Sequence, residues 1–116
     1  GLSIVESVIS VMLLENKFIL SMFKDKVYKF TKKIPKGKVA TYKKVAMAIG
    51  SLKAARGVAM VLSKNFDPKI PCHRVVRTDG SLGGYNRGGI VAKAKLLKSE
   101  GVLIENGKVD SKTHLI

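Results

Sequence analysis

Cys72 stands between Pro71 and His73 in the run Ile70-Pro-Cys-His-Arg-Val75, and it is the chain's one cysteine. A lone thiol forms no intramolecular disulfide, and one Cys with two His is a poor kit for a structural metal site. Two readings stand, a small buried hydrophobe or a reactive thiolate. Pro71 fixes its own φ and biases Ile70 toward extended backbone, which holds the thiol in a defined direction. His73 and Arg74 bring positive charge and donors that favour thiolate over thiol. A free cysteine is more often inert core than nucleophile. The hexapeptide alone leaves both readings open.

Charge is the second signal. The chain has 116 residues, 46% of them apolar, and a net charge of +14, with pI near 10.1 and mean hydropathy +0.11. That length buries one core, not two. From Lys24 to Lys98, 19 Lys or Arg face three acids (Asp25, Asp67 and Asp79), a local balance of +16. So one-sided an excess favours a polyanionic partner, because each phosphate neutralised by Lys or Arg releases counterions. The competing readings are a solvated Lys-rich surface or a heat-adapted composition. A membrane surface is disfavoured, since no basic amphipathic helix stands out. The apolar stretch from Leu2 to Phe23 is interrupted by Glu6, Glu15 and Lys17 and spans no bilayer. It lacks a basic n-region and a small-residue cleavage site, so no signal peptide is expected. One free thiol suits the reducing cytoplasm.

The elements that position these residues are partly legible. Residues 2–20 fit either a hairpin or a buried helix, and periodicity does not choose. Ser21 is placed to cap a helix through Phe23, Val27 and Phe30, ended by Pro35 and Gly37. Val39 and Ala40 make a very short extended piece. Thr41 then caps a helix carrying Val45, Ala46 and Ile49, and Gly50 stops it. Ser51 opens a second helix through Ala54, Ala55, Val58, Ala59 and Leu62, ending near Asn65. This pair predicts a helix-turn-helix, with Lys53 and Arg56 at the groove-facing end of its second helix. Beyond the cysteine, Val75-Val76-Arg77 and the stretch after Asp79-Gly80 predict a hairpin. Gly83 to Gly89 form a glycine-rich loop around Tyr85 that matches neither a dinucleotide fingerprint nor a P-loop. A helix over 90–99 carries Ala92, Leu96 and Leu97, and Asn106-Gly107 signals a type I′ hairpin.

In order, the motifs Ile34-Pro-Lys-Gly-Lys-Val-Ala-Thr-Tyr42, Ala54-Ala-Arg56-Gly-Val58, Asn65, Ile70-Pro-Cys-His-Arg-Val75, Gly83-Gly-Tyr85 and Leu96-Leu-Lys-Ser-Glu100-Gly-Val102 resemble one family. It is the O6-alkylguanine-DNA alkyltransferases, in their DNA-binding and catalytic domain, and the likeness covers roughly Ser21 to Val102. The resemblance implies a mainly α fold with small β elements, a winged helix-turn-helix-like domain over 21–116. A short apolar segment, 1–20, stands in place of the usual N-terminal domain, and self-association through it is one expectation. The implied partner is double-stranded DNA containing O6-alkylguanine, bound in the minor groove with the damaged base flipped out of the stack.

The resemblance also implies roles. Cys72 would attack the alkyl carbon and keep it as a thioether, once per molecule, with no cofactor and no metal. His73 would take the thiol proton through a water, and Glu100 would orient and stabilise the imidazolium. Asn65 would link the recognition helix to the active site. Arg56 would fill the space the base vacates, Tyr42 would help rotate the phosphate, and Lys53, Ala55 and Arg74 complete the DNA-binding set. Pro68, Val75, Gly84, Tyr85 and Asn86 would shape the substrate pocket. The loop from Tyr85 to Gly89 is one residue longer than the family's usual loop, and the stretch from Asn65 to Cys72 about one shorter.

Singly, each residue has a plainer reading: Tyr42 and Tyr85 as half-buried aromatics, Arg56 as surface charge, Glu100 as a satisfied helix-end carboxylate. His114 matches nothing in the family. Two other functions compete with alkyl transfer. One is a non-catalytic alkyltransferase-like protein that binds lesions and recruits other repair factors. The other is a basic helix-turn-helix regulator with an idle cysteine.

Overall fold

The computed structural model describes residues 4–50, 52–110, 112 and 115–116, with only the backbone for 4–16 and 52. His114 lies outside the described residues. Helix α1 runs unbroken over Ile4–Lys32, because the first helix breakers in the chain after Gly1 are Pro35 and Gly37. Of the two forms open to residues 2–20, the helix is the one adopted from Ile4 onward, and residues 2 and 3 lie outside the described residues. Ser21 is therefore interior to α1 and caps nothing, a correction to the expected start. At 29 residues the helix is about 43 Å long, and the molecule measures 61 × 25 × 23 Å. Among the described side chains of α1, those of its C-terminal part meet the core. Val27 is fully buried there, whereas Phe18, Ile19 and Leu20 are exposed.

A two-residue strand β1 (Ala40–Thr41) leads into α2 (Tyr42–Ala48). Thr41 caps it as expected, its hydroxyl accepting from the Lys44 N–H at 3.0 Å. Gly50, at φ 85°, takes the left-handed turn that a side chain would resist. A single 3₁₀ turn, Leu52–Ala54, precedes α3 (Ala55–Ser63). The predicted helix-turn-helix is present, and α1, α2 and α3 pack together around Val27, Val45, Val58 and Leu62.

The cysteine motif forms a 3₁₀ turn, Cys72–Arg74, followed by β2 (Val75–Val76). Strand β2 does not make the expected hairpin. It pairs in parallel with β1, Ala40 opposite Val75 and Thr41 opposite Val76. The tight turn after it does form, with the Gly80 N–H on Arg77 O and the Arg77 N–H on Ser81 O, both 2.9 Å. Ser81 then bridges to Lys108, so the turn's partner lies in the C-terminal hairpin. Four residues cannot declare in sequence which of several short neighbours they will pair with; burial decides it, and all four are buried. Helix α4 (Gly89–Ser99) and the hairpin β3 (Ile104–Glu105)–β4 (Lys108–Val109) complete the fold as predicted. Asn106 and Gly107 are both at positive φ in the hairpin turn. Val39, Val76, Leu97 and Val102 form a second core cluster behind the cysteine turn.

Candidate active site

The parallel β1–β2 pair joins the two motif runs, setting the start of α2 beside the end of the cysteine turn. Between them opens a cleft of about 370 Å³ lined by Tyr42, Ala59, Leu62, Ser63, Cys72, Gly84, Tyr85 and Asn86. Ligand pockets start at roughly 300 Å³, so this one suits a single flat base. Cys72 is 7% exposed. Its backbone N–H donates to Ile70 O at 2.8 Å and that of Arg74 to Pro71 O at 2.9 Å, fixing the turn.

Behind the thiol lies a charged network. His73 Nε2 is 3.0 Å from Glu100 Oε1. Arg74 grips the same carboxylate with both edges of its fork, Nε to Oε1 at 3.0 Å and Nη2 to Oε2 at 2.7 Å. Its Nη1 donates to Ile34 O at 2.8 Å. Arg74, expected in the DNA-binding set, is thereby engaged within the fold: it holds Glu100 and ties the segment just after α1 to the site. Burial pushes the Glu100 carboxyl up, yet the hydrogen bonds from Arg74 and His73 outweigh it and leave the pKa below its ordinary value. Burial pushes His73 down; Glu100 opposes this, and Arg74 and Lys93 reinforce it. The imidazole is therefore neutral at neutral pH. With Nε2–H donating to the carboxylate, Nδ1 is the free acceptor nitrogen.

Asn65 is buried and organises the loop before the cysteine. Its Nδ2 donates to Ile70 O at 3.2 Å and its Oδ1 accepts from the Asp67 N–H at 3.0 Å. Asn86 Nδ2 spans to Ser63 O and Asn65 O, both 2.7 Å, and so ties the glycine loop to the end of α3. Gly84, Tyr85 and Asn86 line the cleft as expected, but Pro68 and Val75 do not. Pro68 is exposed in a turn, and Val75 is a core residue. Tyr42 sits against Gly83, where an added Cβ would lie 3.2 Å from its hydroxyl. Burial raises the pKa of both Tyr42 and Tyr85, so both keep their protons as donors. Lys53, in the 3₁₀ turn before α3, and Arg56, in the first turn of α3, are exposed, with Ala55 half-buried between them.

Lys93 was missed from sequence. It is 0% exposed, and its Nζ donates to Val75 O at 2.7 Å and to Gly84 O at 3.3 Å. The ammonium also lies 5.8 Å from the Tyr42 ring centroid. It thus pins the glycine loop to β2 beside the thiol. A lysine one turn from Leu97 on the inward face of α4 was the only available signal, and lysines are so common here that it did not stand out. Desolvation pulls its pKa down to about 8, whereas an unfolded lysine titrates near 10.4. Between those values the unfolded chain binds more protons, so Lys93 adds stability as pH rises from about 8 to about 10.4. The melting temperature of the wild type should rise relative to that of Lys93→Met across that interval.

Fold and site define a class of protein: a helix-turn-helix domain whose second helix walls a cleft containing a cysteine backed by a His–Glu–Arg network. The family model described as 6-O-methylguanine DNA methyltransferase, DNA binding domain, matches residues 22–102, and the chain belongs to that family. It is 51% identical over 84 residues to a methylated-DNA–protein-cysteine methyltransferase of Metallosphaera sedula, covering 72% of this chain and 51% of that protein. Among solved structures it resembles Mycobacterium tuberculosis OGT in complex with DNA, at TM-score 0.65 and 39% identity, over 68% of this chain and 48% of that one. It also resembles S. pombe Atl1 in complex with damaged DNA containing O6-carboxymethylguanine. There the TM-score is 0.75 at 26% identity, covering 83% of this chain and 95% of that one. The chain spans about half or less of the length of the curated relatives it matches.

Proposed function

We propose that this chain is a single-turnover DNA repair protein that extrudes O6-alkylguanine from duplex DNA and moves the alkyl group to Cys72. One observation carries the reading: the cysteine of the cleft is followed in the same turn by His73, whose Nε2 is held by the Glu100 carboxylate. His73 Nδ1 takes the thiol proton through solvent, and Glu100 stabilises the imidazolium. The thiolate then attacks the alkyl carbon; a C–S bond forms as the C–O bond breaks. The electron pair leaves on the guanine, which recovers a proton from Tyr42, Tyr85 or solvent. No cofactor or metal is required, because the substrate carries its own alkyl group. Asn65 and Asn86 act as positioning residues for the cleft.

Residues 21–116 form the functional domain, preceded by an apolar extension, residues 1–20. The exposed Phe18, Ile19, Leu20 and Met22 support self-association through that extension. Among the described residues no helix is long and apolar enough to cross a membrane. We place the protein in the cytoplasm, with DNA. The competing reading, a non-catalytic lesion-binding protein, draws on the near-complete coverage of Atl1. Intact-protein mass after incubation with an O6-methylguanine duplex separates the two, since only transfer adds a methyl group to Cys72.

Arg56 would occupy the gap left by the flipped base. Arg56→Ala is expected to weaken binding to the lesion duplex about 10-fold or more, the scale of a few kcal/mol of unstacking. Alkylation of Cys72 by iodoacetamide should be unchanged, because Arg56 is exposed on α3 and is not part of the cleft lining.

A further inference from the structure

A second cleft, of about 350 Å³, lies between the end of α1 and the end of α2, lined by Lys26, Lys29, Phe30, Lys33, Ala48 and Ile49. The three lysines are exposed around a floor of half-buried Phe30 and Ile49. Neither ion pair among the described side chains involves them; both are held by Glu100. Asp25, one helical turn before Lys29, forms none with it. A helix C-terminus favours lysine by itself, but that effect fades within the last turn, and Lys26 lies farther back. The cleft also lies near the start of the recognition helix: Ile49 caps α2, and Lys53, in the 3₁₀ turn before α3, is four positions further along the chain. Four residues reach at most about 14 Å.

We infer that this lysine-rimmed cleft holds the phosphodiester backbone of the duplex beyond the segment that α3 engages, lengthening the footprint without reading sequence. The inference rests on the DNA-binding reading above and adds a site to it. Ammonium groups suit this task because they meet phosphate as mobile point charges and need no fixed pairing geometry. The apolar floor keeps the lysine stems ordered while their heads face the strand.

The test is the salt dependence of binding by the triple variant Lys26→Gln, Lys29→Gln, Lys33→Gln, which preserves helix propensity. Each lost phosphate contact removes about 0.9 from the slope of log K against log salt. Three lost contacts flatten it by about 2.7, so over a fourfold rise in salt the wild type should lose about 40-fold more affinity than the variant. The flattening should appear on both plain and lesion-bearing long duplexes and vanish on a duplex trimmed to the α3 segment. Methyl transfer at saturating DNA and the melting temperature should match wild type. An unchanged slope on long duplexes would overturn the inference and leave a solvated lysine face. Flattening equal on single strands and duplexes would also overturn it, in favour of a single-strand site. Because plain duplex serves as a probe, failure of lesion recognition in the wild type would be seen separately.

Discussion

Cys72→Ala is expected to abolish alkyl transfer while preserving tight binding to a duplex containing O6-methylguanine. The expected loss is complete, not graded, because in the proposed reaction the thiol is both nucleophile and final acceptor. Cys72 is the only sulfhydryl in the chain, so no neighbouring thiol can substitute. Binding should survive for a steric reason: removing Sγ enlarges a cleft whose volume, about 370 Å³, is already large enough for a base-sized ligand. The fold should survive too. The lost sulfur belongs to the edge of the first core cluster, and deleting so small a group costs about 1 kcal/mol. Intact mass and peptide mapping read the first half of the prediction, and lesion-duplex titration reads the second. A variant that still gains a methyl group would show that another atom is the acceptor. Wild type that binds the lesion tightly but gains no mass would move the chain to the lesion-sensing class.

Those residues were legible in the sequence to different degrees. The helix-turn-helix was readable because its signals are local: Thr41 at the cap, Gly50 at the turn, and apolar spacing through Leu62. The grouping of Cys72, His73 and Glu100 was suggested by ordered motifs, although Glu100 lies 27 residues from His73 and no local rule links them. What stayed hidden was long-range or two-sided. Arg74 looked like a DNA ligand because an arginine in a basic chain reads as surface charge, while its real partners are Glu100 and the Ile34 carbonyl. Lys93 looked like one more solvated lysine. Strand β2 chose β1 over its sequence neighbour because two buried dipeptides met across the core. Helix α1 gave no hint of where its buried face ends, since the apolar residues continue past Val27 toward the N-terminus, where Phe18 to Leu20 face outward.

Glu100→Gln carries the second large effect, and it acts on rate and stability together. The carboxylate accepts from His73 and from two nitrogens of Arg74. An amide keeps one oxygen acceptor and turns its NH₂ toward a donor, so one side of the Arg74 fork loses its partner. Losing a charge-assisted hydrogen bond of this kind costs about 2 kcal/mol, read as a lower melting temperature. Catalysis should fall more. Without the carboxylate, the imidazole is neither held in the Nδ1-acceptor tautomer nor stabilised once protonated, and general-base assistance is worth roughly 10²–10⁴-fold. The pH profile tells this apart from simple loosening. Burial holds the His73 pKa below its ordinary value, and Glu100 opposes that depression. The wild-type acid limb, where the base becomes protonated, should therefore lie below about 6.5. Removing the Glu100 charge lowers the imidazole pKa further, so the acid limb of Glu100→Gln should shift to lower pH even as the plateau rate drops. A plateau loss with an unmoved limb would mean that His73 is not the titrating base. Single-turnover rates of methyl loss from a labelled duplex, measured across that range for both proteins, decide it.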